Sequence, residues 1–170
     1  MQNPVEASPL PDGVLLQRYR DMPGAYTDCF SVSIDRAVSG REFIEAFYTT
    51  GLFKCERFVL FLIGRGTTDA IVRALAAGEV EAFAAWTVEG RASNEILVCD
   101  FMRLTRSWLM AGPHGNGTRL HFGTAAVPTS RNKTGEPRPG LWFRLLFTLH
   151  VVYAKALLRA AANKVTPQAR

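Results

Sequence analysis

Four polar residues sit inside apolar runs of this chain, and these are the residues that could do chemistry. Asp28 falls within 26–34, Asp100 interrupts Leu97-Val-Cys-Asp-Phe-Met102, Arg106 lies within 104–111, and His150 lies midway along 141–163. A charge taken out of water needs a partner. Asp28 or Asp100 with Arg106 is therefore the expected ion pair; a structural role is the plain reading and a catalytic one the sharper. His150 or Asp28 could act as general acid or base, with Arg106 stabilising an oxyanion. The plain reading of His150 is a core histidine bonded to a carbonyl or carboxylate. Arg106, Trp108, Tyr153 and Tyr48 are the candidate ligand contacts. Core packing competes for the aromatic ones, as it does for Trp86 and Phe143.

No familiar constellation stands beside these residues. There is no G-x-S-x-G. Gly64-Arg-Gly66 is too short for a phosphate loop, lacks the following Lys-Ser/Thr, and reads as helix punctuation. His114, His121 and His150 stand apart, and Cys29, Cys55 and Cys99 form no C-x-x-C, so neither a metal nor a cofactor is expected. The odd cysteine count, and an opening MQNPVEASPLPDG without basic or apolar leader regions, point to free thiols and the cytoplasm. Net charge is +5, but the basic residues are scattered rather than gathered between aromatics, so nucleic acid is not an expected partner. With 170 residues, 48% of them hydrophobic, the chain can bury a real core in one domain.

The elements that must position the polar residues are legible in order. Residues 1–24, with Pro4, Pro9, Pro11 and Gly13, read as an irregular arm, and 25–165 as a single domain. Residues 26–34 alternate, with Tyr26, Asp28, Phe30, Val32 and Ile34 on the buried face of a strand. Ser39-Gly-Arg-Glu42 is a capping box opening a helix that turns Phe43, Ile44, Phe47 and Tyr48 inward. A second, very apolar helical run covers 52–63, and Thr67 or Thr68 caps a third that closes at Gly78. Strands follow at 80–89, 95–101, 104–111 and 118–127, with His114-Gly-Asn-Gly117 as a hairpin turn in which Asn-Gly supplies positive φ. Residues 128–140 are a surface loop. The stretch 141–163 is one long helix with Arg144, Thr148, Lys155 and Arg159 on a narrow stripe and an otherwise apolar surface. Its three internal basic residues argue against a membrane span. A helix this apolar must lie against something broad, and a sheet is the expected partner.

Short runs of the chain resemble a bacterial family with no established activity. They are Tyr26-Thr-Asp28, Phe47-Tyr48-Thr-Thr, Thr105-Arg-Ser-Trp-Leu-Met110 and Gly117-Thr-Arg-Leu-His-Phe-Gly123 before Val127-Pro128, together with the terminal helix. More distantly, the element order is similar to the START and polyketide-cyclase superfamily. That helix-grip resemblance implies a bent antiparallel sheet gripping a long C-terminal helix over an apolar cavity that takes lipids, hormones or polyketides. The chain departs from it in showing four strands between the helical section and the last helix where that superfamily usually has six. The expectation is an α+β, helix-grip-like domain binding a small apolar or amphipathic molecule. The rivals are a cyclase or isomerase using the same pocket, and a homodimer that buries the apolar surface of 52–63.

Overall fold

The structure, a computed structural model, describes residues 4–128, 130–131, 137–138 and 141–166, and of 130, 131, 137, 138 and 141–148 the backbone alone. Phe143, Arg144, Leu145, Leu146 and Thr148 therefore fall outside the described side chains. The described elements are β1 (Glu6–Ala7), α1 (Gln17–Arg20), β2 (Tyr26–Ile34), α2 (Gly40–Tyr48), α3 (Gly51–Leu62), α4 (Asp69–Ala77), β3 (Ala82–Phe83), β4 (Trp86–Arg91), β5 (Glu95–Asp100), β6 (Thr105–His114), β7 (Gly117–Ala126), β8 (Ser130–Arg131), β9 (Pro137–Arg138) and α5 (Leu141–Val165). Seven strands form one antiparallel sheet in the order β1-β2-β7-β6-β5-β4-β3; β8 and β9 form a separate small hairpin within the expected loop. The architecture is α+β: a curved, unclosed antiparallel sheet with the C-terminal helix packed against it.

Local chemistry explains the element ends. Ser39 accepts from the Glu42 amide while Glu42 reaches back to the Ser39 amide, completing the capping box of α2. Thr50 and Thr68 cap α3 and α4 through the amides of Phe53 and Ile71, and Gly78 closes α4 at φ +79°. The run at 80–89 is not one strand. It folds back at Ala84-Ala85, and Ala84 takes φ 46°, a conformation that alanine composition does not announce. In the β6–β7 hairpin the positive φ belongs to Gly115, at +57°, rather than to Asn116-Gly117. Gly117 is needed for space: a Cβ there would sit 2.0 Å from the Ile34 carbonyl oxygen.

Strand pairing lays the inner face of the sheet out in rows. Val32, Leu120 and Ala111 form one row across β2, β7 and β6, and Phe30, Phe122 and Leu109 the next. Onto these rows α5 lays Ala154, Leu157, Leu158, Ala161, Ala162 and Val165, a buried stripe at helical spacing. Phe43, Phe47 and Tyr48 of α2 and Val72 and Leu75 of α4 complete this core. The outer face is covered as well. Leu16, Tyr19, Cys29, Leu97, Trp108 and Ala125 make a second core, built by the segment expected to be an irregular arm. That segment adds β1 to the sheet edge, places α1 beneath the centre, and is fastened by Glu95, whose Oε2 accepts from Leu15 N at 3.1 Å and Trp108 Nε1 at 2.5 Å.

No helix among the described residues is long and apolar enough to cross a membrane. Cys29 is buried, Cys99 half-buried and Cys55 exposed, and all three are free. Reductant should leave the melting temperature unchanged, and alkylation of unfolded, unreduced protein should add three labels by mass. Two fewer labels would establish a disulfide and contradict this packing.

Candidate functional site

Below the aromatic row the inner face of the sheet turns polar. Asp28, Thr124 and Ser107 form the next row across β2, β7 and β6, and Thr105 lies one row further. This change opens a gap between sheet and helix that the described side chains do not fill. It is a cavity of about 470 Å³. Its walls are largely aromatic and aliphatic: Phe47 and Tyr48 from α2, Phe53 from α3, Trp86, Phe122, and Leu149, Ala154 and Leu157 from α5. The rings brace one another. Phe47 stands 4.8 Å from Phe122, Tyr48 4.9 Å from Phe53, and Phe53 5.4 Å from Trp86, centroid to centroid.

Two polar pairs interrupt the apolar wall, one helical turn apart on α5. His150 Nε2 lies 3.0 Å from Asp28 Oδ2. Asp28 also accepts from the Thr124 amide at 3.0 Å and the Tyr26 hydroxyl at 3.2 Å, so its carboxylate is held in place behind the imidazole. Burial and the Asp28 charge both push the Tyr26 phenol above its ordinary range, which keeps it a donor. In the second pair, Tyr153 Oη donates to Glu56 Oε2 at 2.5 Å. Burial raises the Glu56 carboxyl above the usual carboxylate range, and the Tyr153 hydrogen bond offsets part of that rise. Burial likewise raises the Tyr153 phenol, reinforced by Glu56. Tyr48 is fully enclosed, its hydroxyl without a hydrogen-bond partner among the described residues, and burial followed by the nearby Glu56 charge raises it strongly. The Thr124 hydroxyl is likewise without a hydrogen-bond partner among the described residues.

The expected site residues divide between the two faces of the sheet. Tyr48, His150 and Tyr153 reach the cavity wall, and Asp28 stands directly behind it, bonded to His150. Arg106 and Trp108 are on the outer face. Arg106 pairs with Glu89 at 3.0 Å and Tyr19 Oη at 2.8 Å, not with Asp28 or Asp100. Trp108 packs with Leu16, Tyr19 and Cys29. Asp100 is used locally, accepting from the Met102 amide at 2.6 Å and from the Thr105 backbone amide and hydroxyl. Glu56, Ser107, Thr124 and Phe53 are cavity residues that the sequence reading passed over. Strand parity with Leu109 and Phe122 would have placed Ser107 and Thr124; Glu56 could have been found as the lone acid one turn from Phe53 in an apolar helix.

Among the described residues no group of His, Cys, Asp and Glu side chains could hold a metal ion. No protein-family profile matches the chain, and no curated protein or solved structure matches it significantly.

Proposed function

We propose that this protein binds a small, largely apolar molecule with some polar character in the cavity between its sheet and α5. The observation that carries this reading is the gap itself: about 470 Å³ of space lined by Phe47, Phe53, Trp86, Phe122 and Leu157. Interiors pack to near-crystalline density, and an opening that size is ordinary for a ligand site. The Glu56–Tyr153 and Asp28–His150 pairs give an apolar guest two places to set a hydroxyl or carbonyl group. The free thiols fit a reducing compartment, so the cytoplasm is the proposed location. The helix-grip resemblance supports the same reading only by analogy of element order.

N-phenyl-1-naphthylamine, which fluoresces when it leaves water, tests this directly. The expected result is saturable binding that quenches Trp86. Ser107→Phe, which puts a ring into the cavity from β6, should weaken that binding about tenfold or more, a change of about 1.4 kcal/mol. Its melting temperature should hold, because the new ring fills space rather than displacing packed atoms. Equal affinity in both proteins would place the probe elsewhere and overturn the assignment.

The Asp28–His150 pair favours a second reading, a cyclase or isomerase in the same pocket. An imidazole held by a buried carboxylate can move a proton to or from a bound guest. Arg106 cannot stabilise an oxyanion there, since it lies on the outer face; Tyr153 is the donor at hand. On this reading Asp28→Asn leaves probe affinity within about twofold, a few tenths of a kcal/mol, and removes turnover.

A further inference from the structure

Large apolar side chains are exposed together around the mouth of the cavity. Phe58, Val59, Phe61, Leu62 and Ile63, at the C-terminal end of α3, are 61 to 66% exposed. Phe58, Phe61 and Leu62 share one face of α3, so this is an apolar face turned outward rather than scattered residues. Phe101 and Met102, in the turn between β5 and β6, join it. The Arg65 guanidinium lies 3.9 Å above the Phe101 ring and bridges the two segments. On the far side Leu149 and Val152 of α5 are equally exposed, and the Tyr153–Glu56 hydrogen bond holds α5 to α3. Leu149 is also part of the cavity wall, and so is Thr105, the residue following exposed Leu104. The cavity therefore opens among these residues.

The charges carried by these segments themselves are basic, with three acids at their borders. Across 57–66 and 101–104 the charged residues are Arg57, Arg65 and Arg103, with no acid. Each of these acids has a partner, and for Asp69 the partners are cations. Asp69 is held by Lys54 and Arg57, Glu56 by Tyr153, and Asp100 by Thr105 and the Met102 amide. The whole chain is basic, at +5.

We infer that this face docks on an anionic lipid bilayer, with the end of α3 and the β5–β6 turn set into its interface, and that the cavity exchanges its guest with that bilayer. The second clause rests on the ligand-binding reading above; the docking does not. A bilayer interface accepts aromatic and aliphatic side chains flanked by arginine, and it attracts each basic residue near its surface. It also lets an apolar guest pass between bilayer and cavity without crossing water. A second copy of this chain fits less well. A two-fold pairing sets Arg65 and Arg103 against a surface of the same sign and closes the mouth of the cavity.

Sedimentation with vesicles tests the docking. Phosphatidylcholine vesicles containing about one-third phosphatidylglycerol should carry the protein down at about 0.1 M salt. Pure phosphatidylcholine should do so much less, and about 0.5 M salt should weaken the binding by screening. Leu62→Glu should reduce partitioning about tenfold or more, and Arg65→Gln about fivefold. Both side chains are exposed, so both variants should melt with the parent and still bind N-phenyl-1-naphthylamine. Sedimentation with neither vesicle, or equal sedimentation of all three proteins, overturns the inference. So does a parent dimer that Leu62→Glu converts to monomer without any vesicle binding, which would assign the face to a second copy. The two readings fail separately: vesicle binding by a protein that takes up no probe retains the docking surface and removes the cavity ligand.

Discussion

Arg106→Met is expected to destabilise the fold by about 3 kcal/mol at neutral pH, the low end of the range for breaking one side of a buried ion pair. Arg106 is 7% exposed, and its guanidinium satisfies three groups. Nε donates to Tyr19 Oη at 2.8 Å and to Glu89 Oε2 at 3.0 Å, and Nη1 donates to the Arg103 carbonyl at 2.6 Å. Tyr19 in turn donates to Glu89 and lies 4.9 Å beneath the guanidinium, so Arg106 helps tie α1 to the sheet. Methionine keeps most of the length and apolar body but leaves Glu89 with Tyr19 and the half-exposed Arg18 at 3.5 Å. Burial works against the Glu89 charge, yet the hydrogen bonds of Tyr19 and Arg106 bring its carboxyl below the usual range. A carboxyl depressed in the folded state contributes stability above its unfolded pKa and loses it as pH falls through the folded value. The penalty of the substitution should accordingly shrink in acid, where Glu89 can protonate. Adding Glu89→Gln should recover about half of the loss, because the stranded charge is gone. Urea denaturation of the two single variants and the double variant measures this. A single-variant loss below about 0.5 kcal/mol would reduce the cluster to an ordinary surface pair.

The expected pairing of Arg106 with Asp28 or Asp100 shows what a sequence does and does not contain. Alternation along β6 correctly groups Arg106 with Trp108 and Met110, as alternation along β2 groups Asp28 with Phe30 and Val32. Period-two patterning reports which residues share a face; it is silent on which layer covers that face. Here both faces are buried at the sheet centre, one by α2 and α5 and the other by the proline-rich N-terminal segment, in which 14–19 reads as a piece able to dock but not as the cover of a particular face. Two apolar faces then look alike in sequence. The capping box at Ser39 and the Gly78 helix end were legible because hydrogen bonds between near neighbours fix them. Asp28 and His150 were both singled out, yet their pairing across 122 positions is a product of register and helix docking. The same limit explains α3. A helix apolar on all sides has no preferred face in sequence, so Glu56 turning into the cavity and Phe58 turning out to solvent could not be distinguished there.

Acid should weaken this protein earlier than its carboxylates alone require, and the cause is His121. The side chain is 7% exposed on the outer face of β7, with the Trp108 ring at 6.0 Å and Cys29 Sγ at 3.9 Å from Nδ1. Burial, then the positive charges of Arg119 and His114, lower it from 6.5 to about 4. The sign follows from linkage. In the unfolded chain the imidazole takes a proton as pH falls through 6.5, whereas in the folded protein it stays neutral until about 4. The unfolded state therefore binds more protons across that window, and stability falls with falling pH by up to about 1.4 kcal/mol per unit. By pH 4.5 the loss should reach roughly 2 to 3 kcal/mol. Other groups act elsewhere or in the opposite sense. Asp69, held near 2 by Lys54 and Arg57, contributes only in stronger acid. Glu56, raised by burial, gains relative stability as pH falls and opposes the trend. His121→Gln removes the titration and leaves both in place. Chemical denaturation of the two proteins at pH 7 and pH 4.5 should show the parent losing more than the variant by that roughly 2 to 3 kcal/mol. Parallel losses would mean that water or a carboxylate reaches the His121 ring, and the dry packing of the outer core around Trp108 would have to be abandoned.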